Sequence, residues 1–336
     1  MTMPKTLERK VVVITGGSSG VGRATARAFG AEKARVVLMA RNREALESTA
    51  HEVWRAGGEA MVVPLDLADA SAVDAAASAV VDRFGAIDVW VNCAIVTVLS
   101  PVKDMTAEEY RRVTEVNYLG TVHGTLAALR HMLPRNEGVI LQVGSALAYR
   151  SIPLQSAYCA TKAAIRGFTD SLRSELLHDK SKVKLCMVQL PALNTPQFLH
   201  VRNRMPRQAQ PVPPIFQPEV AARAIVYAAR HPSRELWVGG STYKVILGQR
   251  LLPWLGDRVL SKEGYREQQS REPALPGGPD NLHGPVEGVD YGARGPYTDM
   301  AKPRSLLLWV RMNRGLVGAA AVATMAAGFG WMRARH

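Results

Sequence analysis

The stretch Lys10-Val11-Val12-Val13-Ile14-Thr15-Gly16-Gly17-Ser18-Ser19-Gly20-Val21-Gly22 decides the fold of this chain. Its first half is a run of β-branched apolar residues, which suits a strand covered on both faces. The glycines that follow permit a tight turn and let backbone N–H groups approach a pyrophosphate. A helical stretch comes next, and its amino end favours negative charge. Strand, glycine turn and helix in this order open a βαβ unit that binds a dinucleotide. The contacts are expected from Thr15, Gly16, Ser18, Ser19, Gly20, Val21 and Gly22.

Working outward, further β-rich runs occur at Arg35–Met39, Ala60–Pro64, Ile87–Val91, Gly138–Val143, Val183–Leu190 and Glu235–Val238. Helical patterns separate them at Gly22–Glu32, Ala70–Phe84, Ala107–Met132, Ser156–His178 and Pro218–Arg230. Strand and helix in strict alternation imply right-handed crossovers and an α/β, doubly wound parallel sheet. We therefore expect a dinucleotide-binding catalytic domain over residues 1–250, a Pro/Gly-rich extension over 251–303 and a basic-flanked apolar helix over 304–336.

The second strand ends in Ala40-Arg41-Asn42-Arg43. A carboxylate at this place would accept the ribose 2′-OH of NAD and repel a 2′-phosphate. Arg41 offers a guanidinium that matches phosphate geometry and charge, so NADP is expected ahead of NAD. Both arginines would equally serve to solvate a helix start. After the third strand, Asp66-Leu67 can reach the adenine, and Asp66 can also cap the next helix.

Tyr158 and Lys162 stand at i and i+4 on one helix face, with Ser145 at the end of the fifth strand. A free phenol has a pKa near ~10, and a neighbouring ammonium would lower it. Such a pair suits proton exchange with a substrate oxygen. Lys162 can also hydrogen-bond the nicotinamide ribose, and the Ser145 hydroxyl can hold an oxygen on which negative charge develops. Taken alone, a Tyr and Lys four apart are common on helices; the serine and the glycine turn make the combination specific.

These residues resemble the short-chain dehydrogenase/reductase family over roughly residues 8–240. The TGxxxGxG turn matches Thr15 to Gly22, YxxxK matches Tyr158 and Lys162, and the glycine spacing is that of the main oxidoreductase branch. The resemblance implies a sheet of about seven strands, a homo-oligomer (dimer or tetramer) formed through two long helices, and Asn117 as a fourth catalytic residue that organises a proton-relay water. It also implies cofactor contacts from Asn92, Ala94, Pro191 and Thr195. The family's NNAG reads Asn92-Cys93-Ala94-Ile95 here, so a glycine backbone state with positive φ would be hindered at Ile95. The family's PG pair becomes Pro191-Ala192.

Two irregular segments interrupt the alternation. Pro191–Pro218 contains seven prolines, which exclude a continuous helix or a central strand. It reads as a substrate-covering loop or as a rigid surface connection. Arg271–Tyr297 is rich in Gly and Pro and reads as a linker or wrapping arm. Beyond it, Ser305–Val310 is apolar and the eighteen residues Gly315–Met332 carry no charge. Helical, those residues would span roughly 27 Å, just under a bilayer core. They are mostly Ala and Gly, so an anchor, an interfacial helix and a helix packed on a partner subunit all fit, with membrane contact favoured.

The formal net charge is +13, but the basic residues are dispersed and no nucleic-acid motif accompanies them. After Asp299 every charged side chain is basic, which suits an anionic membrane surface better than a duplex. The widely spaced cysteines Cys93, Cys159 and Cys186 imply neither a metal site nor a disulfide framework. With an amino terminus lacking an apolar leader, they point to the cytoplasm.

The expected activity is hydride transfer between NADP(H) and a carbonyl or alcohol carbon of a small, lipophilic substrate. The competing reading is a non-catalytic NADP-binding sensor or scaffold, supported by the altered Asn92–Ile95 segment and the long tail.

Overall fold

Seven parallel strands form the central sheet: β1 (Val11–Thr15), β2 (Arg35–Ala40), β3 (Glu59–Pro64), β4 (Val89–Asn92), β5 (Val139–Ser145), β6 (Lys184–Leu190) and β7 (Glu235–Trp237). Their order is β7-β6-β5-β4-β1-β2-β3 in a computed structural model that describes residues 6–275 and 277–317. The chain winds outward from β1 in one direction through β2 and β3, then in the other through β4. The seam between β1 and β4 is therefore a switch point, where a crevice opens at the carboxyl ends of the strands.

Alternation along the strands sends side chains into two cores. Val12 and Ile14 of β1 face one core with Val36 and Leu38 of β2, under α1 (Gly20–Ala31), α2 (Arg43–Arg55) and α7 (Pro218–Arg230). Val11 and Val13 face the other, under α3 (Ala70–Phe84), α5 (Gly120–Met132) and α6 (Ser156–His178). Burial on both faces is why these strands read as continuous apolar runs.

The helix expected over Ala107–Met132 is divided. It consists of α4 (Ala107–Thr114), a π-helical turn over Glu115–Leu119, and α5. The extra residue in a π turn shifts the helical face, and Asn117 lies in the middle of that turn. Its side chain is fully buried, accepting from the Val96 N–H at 2.8 Å and donating to the Val96 carbonyl at 2.9 Å. Apolar periodicity carries no signal for such a turn, because a long-range polar contact sustains it.

The extension packs back onto the catalytic region. After α8 (Gly240–Leu251) and α9 (Pro253–Glu263), Gln269–Pro273 pairs antiparallel with Arg207–Ala209, and Ala301–Lys302 pairs with Ile215–Phe216. The proline-rich segment is thus made of short pieces, each held by a distant stretch of chain. α10 (Leu306–Met312) sets Leu308 into the core while Leu306, Leu307 and Trp309 stay exposed. No helix among the described residues is long and apolar enough to cross a membrane. Most of the uncharged stretch Gly315–Met332 lies outside the described residues.

Candidate active site

The crevice at the switch point encloses a cavity of about 250 Å³. Thr15 pins its base: its hydroxyl accepts the Cys93 N–H at 3.0 Å and so ties β1 to the end of β4. The glycine turn needs its glycines here. Gly16 has φ +73° and a Cβ would come within 2.7 Å of the Ala94 Cα, while a Cβ on Gly22 would meet the Gly16 carbonyl oxygen at 2.0 Å. The turn is packed as closely as backbone permits, and its open side faces the cavity. Gly16, Ser18, Ser19, Gly20, Val21 and Gly22 all line it. This shape fits a dinucleotide, whose pyrophosphate would meet backbone N–H groups at the start of α1.

At one end of the cavity Ser145, Tyr158 and Lys162 converge. Ser145 ends β5, and its hydroxyl accepts from the Leu147 N–H at 3.1 Å while sharing the cavity wall with the Tyr158 phenol. The Lys162 ammonium donates to the Val143 carbonyl at 2.7 Å and lies 5.6 Å from the centre of the Tyr158 ring. Burial lowers the Lys162 pKa from its ordinary value to about 8. Burial also pushes the Tyr158 phenol up, against the Ser145 hydroxyl, which pulls it down. The expectation of a phenol acidified by Lys162 is thereby corrected. In the protein alone, desolvation sets the direction and favours the neutral phenol.

Other expected residues divide into two sets. Arg41, Asp66, Leu67, Ala94, Pro191 and Thr195 line the same cavity. Asn92 and Asn117 do not. The Asn92 amide donates to Thr125 at 3.0 Å and to Gln142 at 2.9 Å, and its oxygen accepts from the Trp90 indole, so it serves a buried polar network. Asn117 donates to the Thr161 hydroxyl at 3.2 Å and makes no direct side-chain hydrogen bond to Tyr158 or Lys162 among the described residues. Asp66 does not cap the next helix; Asp69 does, accepting from Ser71 and Ala72. Burial alone would raise the Asp66 carboxyl, but bonds from the Ala68 N–H and the Arg112 guanidinium hold it below its ordinary value. Ile95 is not among the residues with positive φ, so the feared backbone strain is absent, and its side chain simply forms part of the cavity wall.

Several cavity residues carry no motif. His200 is buried, its Nδ1 has no hydrogen-bond partner, and its ring packs on Tyr291 with centroids 4.8 Å apart. Burial lowers its pKa, which keeps the imidazole neutral. Asn281, Pro285, Val286 and Val289 also line the cavity, from the segment read as a linker or arm. Only its composition signalled them.

A doubly wound sheet with a glycine turn at its switch point and a Ser/Tyr/Lys group across the crevice defines a nicotinamide-dependent oxidoreductase. The family described as short chain dehydrogenase matches residues 10–205, and this chain belongs to it. It is 35% identical over 274 residues to an uncharacterized oxidoreductase, YxnA, of Bacillus subtilis, covering 81% of this chain and 77% of that protein. It is 32% identical over 228 residues to a fatty acyl-CoA reductase of Acinetobacter baylyi, covering 67% of this chain and 75% of that protein. Among solved structures, NAD+-bound xylitol dehydrogenase matches with a TM-score of 0.54 at 29% identity, over 56% of this chain and 72% of the other.

Proposed function

We propose that this protein reduces a carbonyl carbon, or oxidises the corresponding alcohol, on a small lipophilic substrate, with NADP(H) as its cofactor. The convergence of Ser145, Tyr158 and Lys162 beside the glycine turn carries the reading. When bound, the nicotinamide supplies or accepts the hydride. The protein's own part is to hold the substrate oxygen and to move a proton. The oxygen receives hydrogen bonds from the Ser145 and Tyr158 hydroxyls. A phenol held protonated by burial acts as the acid, passing its proton to the oxygen as negative charge develops there. The Lys162 ammonium, 5.6 Å from the ring centre, stabilises the resulting phenolate. Asn117 is proposed to act by holding the Val96–Thr161 junction behind this group, at a π turn that positions α5 and α6.

Arg41 supports NADP, since no carboxylate occupies the end of β2 and two of its five donors are engaged by carbonyl oxygens, leaving others for a phosphate. A lipophilic substrate is supported by the apolar wall of Ile95, Val96, Leu193 and Val201, and by likeness to a fatty acyl-CoA reductase. The exposed Leu126 on α5, Leu133 just past its end and Leu177 on α6 support a homo-oligomer formed through those helices. The exposed residues of α10, with Arg311 and Arg314, support membrane contact through residues 304–336.

A panel of aldehydes and ketones of increasing chain length, assayed with NADPH and NADH, tests the reading. Tyr158→Phe keeps the ring and removes the proton, so kcat/KM is expected to fall about 100- to 10,000-fold while dinucleotide binding is kept. Activity that survives this substitution refutes the assigned chemistry. Tight dinucleotide binding without turnover on any substrate would favour a sensor instead.

A further inference from the structure

The segment Asp280–Tyr297 runs across the carboxyl edge of the sheet and is fastened there at three places. At the end of β2, Arg41 donates to the Asn281 and Leu282 carbonyls, Asn42 donates to the Val286 carbonyl at 3.0 Å, and Arg112 donates to Leu282 at 3.0 Å. At the start of α1, the Gly20 N–H donates to the Gly292 carbonyl at 3.1 Å, and the buried Arg23 pairs with Asp290. Beyond β6, the Gly295 N–H donates to the Asn194 carbonyl at 3.1 Å and the Tyr297 N–H to the Asn194 side chain at 2.9 Å. From these first two fastenings the Asn281 N–H also donates to the His200 carbonyl at 3.0 Å, and Tyr291 packs on the His200 ring.

We propose that this segment is a strap forming the outer wall of the cofactor site, and that it closes over bound dinucleotide and retards its release. The cavity continues beneath it. The glycine turn lines it together with Pro285, Val286, Val289 and Tyr291, so the segment bounds the site without filling it. Its fastenings fall at the ribose end of β2, at the pyrophosphate turn and beside Thr195, which together span the length a dinucleotide would occupy. The buried His200 adds an unpartnered imidazole nitrogen beneath the strap, available as a polar contact to a ligand. The inference rests on the cofactor lying along the glycine turn, and it is independent of the choice between NADP and NAD.

The test uses the full chain with NADPH and NADH, following hydrogen exchange of residues 280–297 and stopped-flow release of the dinucleotide. Binding is expected to slow exchange across 280–297. Asp290→Ala, which frees the Arg23 fastening, and Tyr291→Ala, which removes the His200 contact, are each expected to speed release about tenfold. Thermal unfolding of each variant verifies that it is folded, and the exchange measurement on the unaltered protein stands without any variant. Unchanged or faster exchange on binding overturns the strap, as does unchanged release or tighter binding in the folded variants. Tighter binding would mean that the segment competes for the Gly20 N–H. An unaltered chain that binds neither dinucleotide defeats the functional reading together with the strap, whereas binding without protection defeats the strap alone.

Discussion

Arg41 shows how much one side chain's surroundings alter its meaning. Read along the chain, it is a cation at the end of a strand where many relatives of the fold place a carboxylate. In the structure its guanidinium is half-buried and oriented by two main-chain carbonyls from residues some 240 positions away. Burial lowers its pKa, but an arginine starts so high that its charge is kept. Arg41→Asp is expected to weaken NADPH binding roughly 10- to 100-fold relative to NADH, since repulsion replaces a charge-assisted bond. The ratio of the two dissociation constants is the proper measure, because loss of the strap contacts affects both dinucleotides alike. An unchanged ratio would remove the basis for assigning NADP. The Tyr158 phenol, proposed as the proton carrier, was legible at this scale, but the direction of its pKa shift was not. Whether desolvation or a nearby ammonium prevails depends on how deeply the ring is set.

Among the elements, α4 acts as a clasp for the proline-rich segment. Thr106 and Glu109 form a capping box at its amino end. The Glu109 carboxylate, almost fully buried, also takes Arg204 at 2.6 Å and Arg202 at 3.3 Å, and Arg202 continues to Asp280 at the root of the strap. Burial would raise the Glu109 carboxyl, but its hydrogen bonds to Arg204 and to the Thr106 N–H bring it down from 4.5 to about 2. The folded state therefore binds the proton more weakly than the unfolded chain. The stabilisation is fully present above pH 4.5 and is lost as pH falls toward about 2. Glu109→Ala is expected to cost roughly 3 kcal/mol, because two arginines lose their buried partner. Glu109→Gln should flatten the acid limb of the unfolding curve. Equal acid sensitivity of Glu109→Gln and the unaltered chain, measured by urea unfolding at pH 3 and 6, would count against this role. The capping box was legible from local spacing, whereas its second duty, toward residues some 90 positions further on, was not.

For the whole molecule, the extension is what sets this chain apart from a bare doubly wound domain. It returns over the crevice, contributes short strands to the proline-rich segment, and leads into α10, whose Leu306, Leu307 and Trp309 are exposed. Full-length protein is expected to co-sediment with vesicles containing anionic lipid, and a chain ending at residue 303 is expected to lose most of that binding. The attraction should weaken between about 0.05 and 0.5 M salt, as screening shortens its reach. Binding that is indifferent to the tail would exclude residues 304–336 as the contact.

The parallel sheet, the glycine turn and the Tyr158–Lys162 pair can be read directly from the order of amino acids. Each rests on short-range periodicity: β-branched runs for strands buried on both faces, glycines where backbones touch, and a four-residue spacing that stacks two side chains on one helix face. That residues 115–119 form a π turn, that Asn92 faces inward and that the segment 280–297 borders the crevice emerges only from the packed fold. Those features depend on hydrogen bonds between segments far apart in the chain. Such bonds exist only once the two cores have packed and the sheet has set the distances between them. The glycine turn that opens the chain was legible as a close-packed junction of strand and helix. The main-chain carbonyl of Gly292 that meets its Gly20 N–H was not.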